Sequence, residues 1–226
     1  VSELKTKVIN GLTTYGSSTD INKFGGRFKY SKVLNVIDNI NDAITSNITR
    51  VRIRRNLKAL INQFAQYELC FGNSFYINPE GKNVKTTGFT IQGQSDMLYI
   101  TDIPNKNGDG TLDGSGKGTL TIVKGDIELS ENRLIVASAG TVDYVHGEII
   151  LNTINITSTE KANNIIEIQT FPQSNDVIGL KDLYLTFAVG DSTINMVKDT
   201  ITSGEQISGV GYKVTSSYSN GALTRG

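Results

Sequence analysis

The side chains able to carry chemistry are few. The sequence holds one histidine, His146, and one cysteine, Cys70. A single histidine excludes metal sites that need two or three imidazoles, and any nucleophile–histidine pair would have to use this one. His146 lies in Tyr144-Val145-His146-Gly147, which reads as a turn, without a Gly-x-Ser-x-Gly elbow or a reactive-cysteine context. Cys70 falls inside the apolar alternation Leu69 to Phe71 and reads as a small buried side chain, not a nucleophile. Asp143 and Glu148 are spaced as a conceivable pair of glycosidase carboxylates, but both sit naturally as polar ends of the same turn.

Two glycine-rich stretches imitate ligand loops. Asn105-Lys106-Asn107-Gly108-Asp109-Gly110 has the alternating oxygen ligands and turn glycine that open a calcium loop. The first ligand, however, is Asn and not Asp, and the position for the closing bidentate carboxylate falls on Gly116. A hairpin loop between Ile103 and Thr119 fits better. Gly114-Ser115-Gly116-Lys117-Gly118-Thr119 is reminiscent of a phosphate loop, yet the required first glycine is Thr111, and Gly118 stands where Ser or Thr must hold magnesium. It reads as a loop tip.

Arg50, Arg52, Arg54 and Arg55 form a basic stretch. Strand alternation would set Arg50, Arg52 and Arg54 on one face, a solvated or protein-facing stripe that lacks the interleaved aromatic platform of a nucleic-acid groove. Lys plus Arg equals Asp plus Glu at 22 each, so no global field recruits nucleic acid or an anionic membrane. Asn47-Ile48-Thr49 and Asn155-Ile156-Thr157 match the glycosylation pattern, which carries meaning only in a secreted chain. Neither a signal-peptide pattern nor a long apolar run is present, and a lone cysteine cannot close an internal disulfide. The chain reads as cytosolic in origin, and its start at Val1 reads as that of a fragment.

The elements that must position these residues follow from periodicity. Leu4, Val8, Leu12 and Tyr15 share a helical face, with Ser2 as a candidate N-cap and Gly16 as the stop. Ser31 caps a second short helix through Val33, Ile37 and Ile40, with Asn39, Asn41 and Asp42 breaking it. From Ala43 the period turns toward two, and the apolar face shifts from Ile48 to Val51 and Ile53, as a bulge near Thr49 would require. Residues 56–64 fit either state, whereas Tyr67, Leu69 and Phe71 alternate as a strand. Short strands are then expected at Phe89–Ile91, Leu98–Ile103, Leu120–Val123, Leu134–Ala137, Glu148–Leu151, Ile165–Ile168 and Leu183–Val189. With 23 glycines against 3 prolines and no intervening helices, this pattern predicts antiparallel sheet.

The expected fold is therefore α+β: short N-terminal helices followed by an antiparallel sandwich or irregular barrel. Three regions are anticipated: a helical segment over 1–48 that ends an upstream region, a β-rich domain over 49–200, and a Ser/Gly-rich C-terminal arm over 201–226.

Two stretches carry a family likeness. Phe28-Lys29-Tyr30-Ser31-Lys32-Val33-Leu34-Asn35-Val36-Ile37-Asp38, followed by Ala43-Ile44-Thr45-Ser46-Asn47 and the basic stretch, resembles the J-like baseplate wedge proteins of contractile-tailed, T-even-type bacteriophages. Gly140-Thr141-Val142-Asp143-Tyr144-Val145-His146-Gly147-Glu148-Ile149 is similar to that family's Gly-x-Ile-Asp-Tyr-x-x-Gly-x-Ile hairpin, with Val142 in place of the first isoleucine. The stretch Tyr67 to Asn73 adds to the likeness, and the matches occur in family order. The resemblance implies a structural virion protein of the tail baseplate, assembled in the host cytoplasm. Its copies would pair as homodimers, contact other wedge proteins and form a ring around the hub. It implies no enzyme activity, cofactor, metal, nucleic acid or membrane. A receptor- or carbohydrate-binding tail module is the alternative, although such modules usually expose aromatic platforms and this chain has no tryptophan.

Overall fold

The computed structural model describes residues 2–125, 127 and 133–197, together with the backbone of 218–219 and 222–223. Helix α1 (Ser2–Gly16) buries Val8, Leu12 and Tyr15, so the predicted stripe faces the core. Ser2 is the first helical residue described. Strands β1 (Lys23–Phe24) and β2 (Arg27–Phe28) lead into α2 (Tyr30–Asp38). Ser31 does not cap α2: the helix begins one residue earlier, and the Tyr30 N–H donates to Asp176 Oδ1 at 2.8 Å. That cap lies 146 residues away in sequence, where a local signal cannot point.

The expected strand from Ala43 does not form. Residues 43–52 run without ladder partners, so no bulge exists near Thr49, and the first paired residue is Ile53. Side chains fix the segment instead: the Ala43 N–H donates to Asn41 Oδ1 at 2.9 Å, and the Tyr30 hydroxyl donates to the Thr49 carbonyl at 2.9 Å. Strand β3 (Ile53–Lys58) and β4 (Phe64–Cys70) then settle residues 56–64 as strand, turn and strand, with Asn62 at φ 58° in the turn.

The rest of the chain is antiparallel. β5 (Lys85–Thr86), β6 (Phe89–Ile91), β7 (Gln94–Pro104), β8 (Lys117–Lys124), β9 (Arg133–Asp143), β10 (Glu148–Thr159) and β11 (Ile165–Thr170) contain six of the seven predicted strands. The longest run to eleven and twelve residues, because Thr, Ser and Asn extend the alternation beyond each apolar run. β6 to β10 close into a five-strand barrel: β10 pairs with β9 through Glu148–Leu151 and with β6 through Ile156–Thr159, while β4 adds a sixth strand along β10. Register shifts between Leu120 and Ile122 on the β8–β9 ladder, and between Leu151 and Ile154 on the β10–β4 ladder, supply the bends that closure requires. Gly140 faces both Leu120 and Leu151, and a Cβ there would lie 2.0 Å from the Ile150 carbonyl oxygen. Only glycine permits this approach.

A three-stranded sheet, β3–β11–β5, lies beside the barrel. The chain then returns to its own beginning. β12 (Val177–Ile178) pairs with β2, and β13 (Tyr184–Leu185) with β1. Of the run expected over Leu183–Val189, only β13 is strand; a 3-10 turn follows at Val189–Asp191. Phe187 packs edge-on against Phe28 at 5.4 Å, and one buried cluster joins Val8, Leu12 and Val33 to Leu98, Leu120 and Ile149. The predicted arm over 201–226 lies outside the described residues, apart from the backbone of β14 (Tyr218–Ser219) and β15 (Ala222–Leu223), which pair with each other. Among the described residues no helix is long and apolar enough to cross a membrane.

Candidate functional site

The hairpin Gly140 to Ile149 is built as a structural lock. Asp143 and Glu148 face each other across β9 and β10, flanking a turn in which the Asp143 carboxylate accepts the His146 N–H at 2.9 Å and pairs with His146 Nδ1 at 3.0 Å. Burial pushes the Asp143 carboxyl up, but the His146 contacts, together with Lys117, outweigh it and hold the group below its ordinary value. Tyr144 points the other way. Its hydroxyl donates to Asp102 Oδ2 at 2.6 Å, and the Val84 N–H donates to Asp102 Oδ1 at 2.6 Å. Asp102 is fully buried, and desolvation raises its pKa despite these donors; burial and then the neighbouring carboxylate push the Tyr144 phenol up as well.

The strap from Phe71 to Phe75 clasps this turn. The Phe71 N–H donates to the Gly147 carbonyl at 2.8 Å, the Ser74 hydroxyl to the Val145 carbonyl at 2.6 Å, and the Phe75 N–H to the Tyr144 carbonyl at 2.7 Å. Two asparagines then tie the strap region to the returning chain. Asn73 accepts from the Ile178 N–H at 2.9 Å and donates to the Ile178 carbonyl at 2.8 Å; Asn83 does the same for Phe171 at 2.9 and 3.2 Å. Each amide substitutes for a missing strand neighbour.

A different surface forms where α1 meets α2. Asp20, Lys23, Arg27, Lys29 and Lys32 line one depression in the surface. Asp20 forms an ion pair with Lys32, and that hydrogen bond is the main reason the Asp20 carboxyl sits below its usual value and the Lys32 ammonium above its own. Lys23 and Lys29 add weaker attraction to Asp20. Beside Lys23, Phe24 and Tyr184 stack edge-to-face at 5.3 Å while remaining 64% and 49% exposed.

Residues 1–56 match the family model described as baseplate structural protein gp6, C-terminal domain III. The matched segment spans α1, β1, β2, α2 and the start of β3. The match supports a structural role in a phage baseplate. Among curated proteins, none matches the chain.

The residues singled out as chemical candidates fall in structural positions. Asn105 to Gly116 form the β7–β8 hairpin loop, as expected from its flanks. Asp109 accepts from the Thr111 hydroxyl and N–H, and Asp113 from those of Ser115; these bonds, with the hydroxyls first, lower both carboxyl pKa values. Among the described residues no three His, Cys, Asp or Glu side chains converge as metal ligands. His146 is exposed at its turn, while Cys70 is half-buried, not buried, at the end of β4, where the Arg55 guanidinium donates to its carbonyl.

The arginine stripe is dispersed, since only Arg54 and Arg55 lie on β3. Arg54 bridges Glu167 at 3.3 Å and Asp191 at 2.9 Å, and Arg52 lies 4.8 Å over the Phe171 ring. Asn47 contacts Asp38, and Asn155 contacts Gln92, within the chain. Sequence reasoning missed the cationic depression, although its signal was present: Lys23, Arg27, Lys29 and Lys32 occur within ten residues that contain no acid.

Proposed function

We propose that this chain is part of a baseplate wedge subunit of the J-like kind found in contractile-tailed phages, and that its copies pair, bind neighbouring wedge proteins and close into a ring around the hub. The observation that carries the reading is the match over residues 1–56. The resemblance of Gly140 to Ile149 supports it independently, because that hairpin lies outside the matched segment.

The physical logic suits an assembly module. The polar groups of the hairpin and of the Asp109 and Asp113 loop are spent on partners within the chain, where they fix shape. A ring of dimers requires two different interfaces per subunit: an isologous one that pairs copies, and a second that joins pairs. Apolar and aromatic side chains at the centres of such contacts supply most of the energy, with charges at the rim steering approach.

Sedimentation velocity and light scattering of the purified chain, alone and mixed with neighbouring wedge proteins, test this reading. Pairing alone and larger complexes in the mixture are expected. Monomer at high protein concentration, both for this chain and for one carrying additional upstream residues, would refute self-association.

A further inference from the structure

We propose that the depression around Asp20 is a docking site for an acidic, carboxylate-bearing segment of a protein partner. The chain as a whole is neutral, yet Lys23 to Lys32 carries four cations and no anion. The fold gathers all four on one depression whose single carboxylate is Asp20. Lys32 is engaged with that carboxylate, while Lys23, Arg27 and Lys29 are exposed and make no ion pair among the described residues. Three cations at one place therefore lack a close ion-pair partner among the described residues.

The backbone beneath is fixed before any partner arrives. The Arg27 N–H donates to the Asp20 carbonyl at 2.8 Å, and the Gly25 N–H donates to the Leu180 carbonyl at 3.1 Å. Gly25 holds φ 60°, and a Cβ on Gly26 would lie 2.1 Å from the Ile21 carbonyl oxygen. A turn this constrained keeps its cations together despite their repulsion, which lowers the ordering cost of binding.

The chemistry favours a peptide over a nucleic acid. The Asp20–Lys32 pair already shows a carboxylate held by a cation of this depression, the same contact that an Asp or Glu of a partner would make with Lys23, Arg27 or Lys29. Beside Lys23, the exposed Phe24 and Tyr184 rings lie at 84° to each other. They offer an apolar anchor of the kind protein interfaces use, not parallel faces for stacked bases. The inference goes beyond ring formation, and it stands or falls separately from self-association.

Fluorescence anisotropy with labelled oligoglutamate tests it, with a duplex oligonucleotide and a neutral Gly/Ser peptide as competing probes. Oligoglutamate is expected to bind at low salt and to weaken as salt rises. Combining Lys23→Glu, Arg27→Glu and Lys29→Glu should weaken binding about tenfold or more, three exposed ion pairs being lost. Arg50→Glu, a reversal at a residue that does not line the depression, should leave binding unchanged, and circular dichroism confirms that each variant is folded. The milder Lys29→Gln should give a partial loss. Absence of oligoglutamate binding, equal loss in Arg50→Glu, or tighter binding of the duplex would each overturn the proposal.

Discussion

Replacing Tyr144 by Phe removes one oxygen from a buried position and leaves the ring in place. That oxygen donates to Asp102 at 2.6 Å, and both residues are almost wholly excluded from solvent. A hydrogen bond to a charged acceptor contributes roughly 1.5–3 kcal/mol, and for a chain of this size each kcal/mol corresponds to about 2–4 °C in Tm. Tyr144→Phe should therefore lower Tm by about 4–8 °C near neutral pH, on a loss of roughly 2 kcal/mol.

The sign with pH follows from linkage. The folded-state pKa of Asp102 is raised above the ordinary aspartate value, so the native state holds the proton more tightly. Its contribution to stability is present in acid and is lost as pH rises through the folded pKa. Tyr144 is one of the donors opposing that rise, so removing it raises the pKa further, and the Tyr144→Phe deficit should grow from acid toward neutrality. Asp102→Asn keeps an oxygen for Val84 and offers an amide N–H to the Tyr144 oxygen, without a charge to desolvate. Its stability relative to the parent should improve as pH rises. Asp102→Ala strands two donors at once and should cost about 2–5 kcal/mol. Urea unfolding between acid and neutral pH reads all three. A Tyr144→Phe deficit independent of pH, or an Asp102→Asn variant whose disadvantage widens with pH, would refute the reasoning.

Gly147 holds φ 67°, with its missing Cβ 2.0 Å from the Asn73 carbonyl oxygen, so Gly147→Ala should cost more than about 3 kcal/mol and be visible as lost soluble yield and a lowered urea midpoint. Asp176→Ala should remove about 1 kcal/mol by uncapping α2, and hydrogen exchange at the Tyr30 amide should accelerate in step with the lowered Tm. Arg54→Met breaks partly exposed pairs to Glu167 and Asp191 and should cost about 0.5–1 kcal/mol, a loss that high salt diminishes.

What could be read from sequence was whatever repeats locally. The α1 stripe, the stop at Gly16 and the apolar centres of β6 to β11 each follow from side-chain period alone. Barrel closure was open between two architectures, because it depends on Gly140 meeting Ile150 and on register shifts that leave no periodic trace. The run from Ala43 had the β-branched residues of a strand but no neighbour to pair with, and composition cannot reveal whether a partner strand exists. Asp176 capping α2, and Asn73 and Asn83 replacing strand partners, were invisible for a related reason: each acts across a long gap in the chain. The cationic depression was legible but overlooked, since the denser arginine run, Arg50 to Arg55, drew attention to charges that the fold largely spends on Glu167, Asp191, Phe171 and the Cys70 carbonyl.

The segment that matches a baseplate protein is completed by residues far outside it. Among the described residues β1 and β2 have their only strand partners in β13 and β12, α2 takes its cap from Asp176, and Phe28 meets Phe187. The strap that clasps the Gly140–Ile149 hairpin also grips this return segment, through Asn73 and Ile178. Paired backbone and buried side chains therefore join the helices to the barrel. Under the proposed assembly role, that continuity is what lets a helical corner and a closed barrel act through one core.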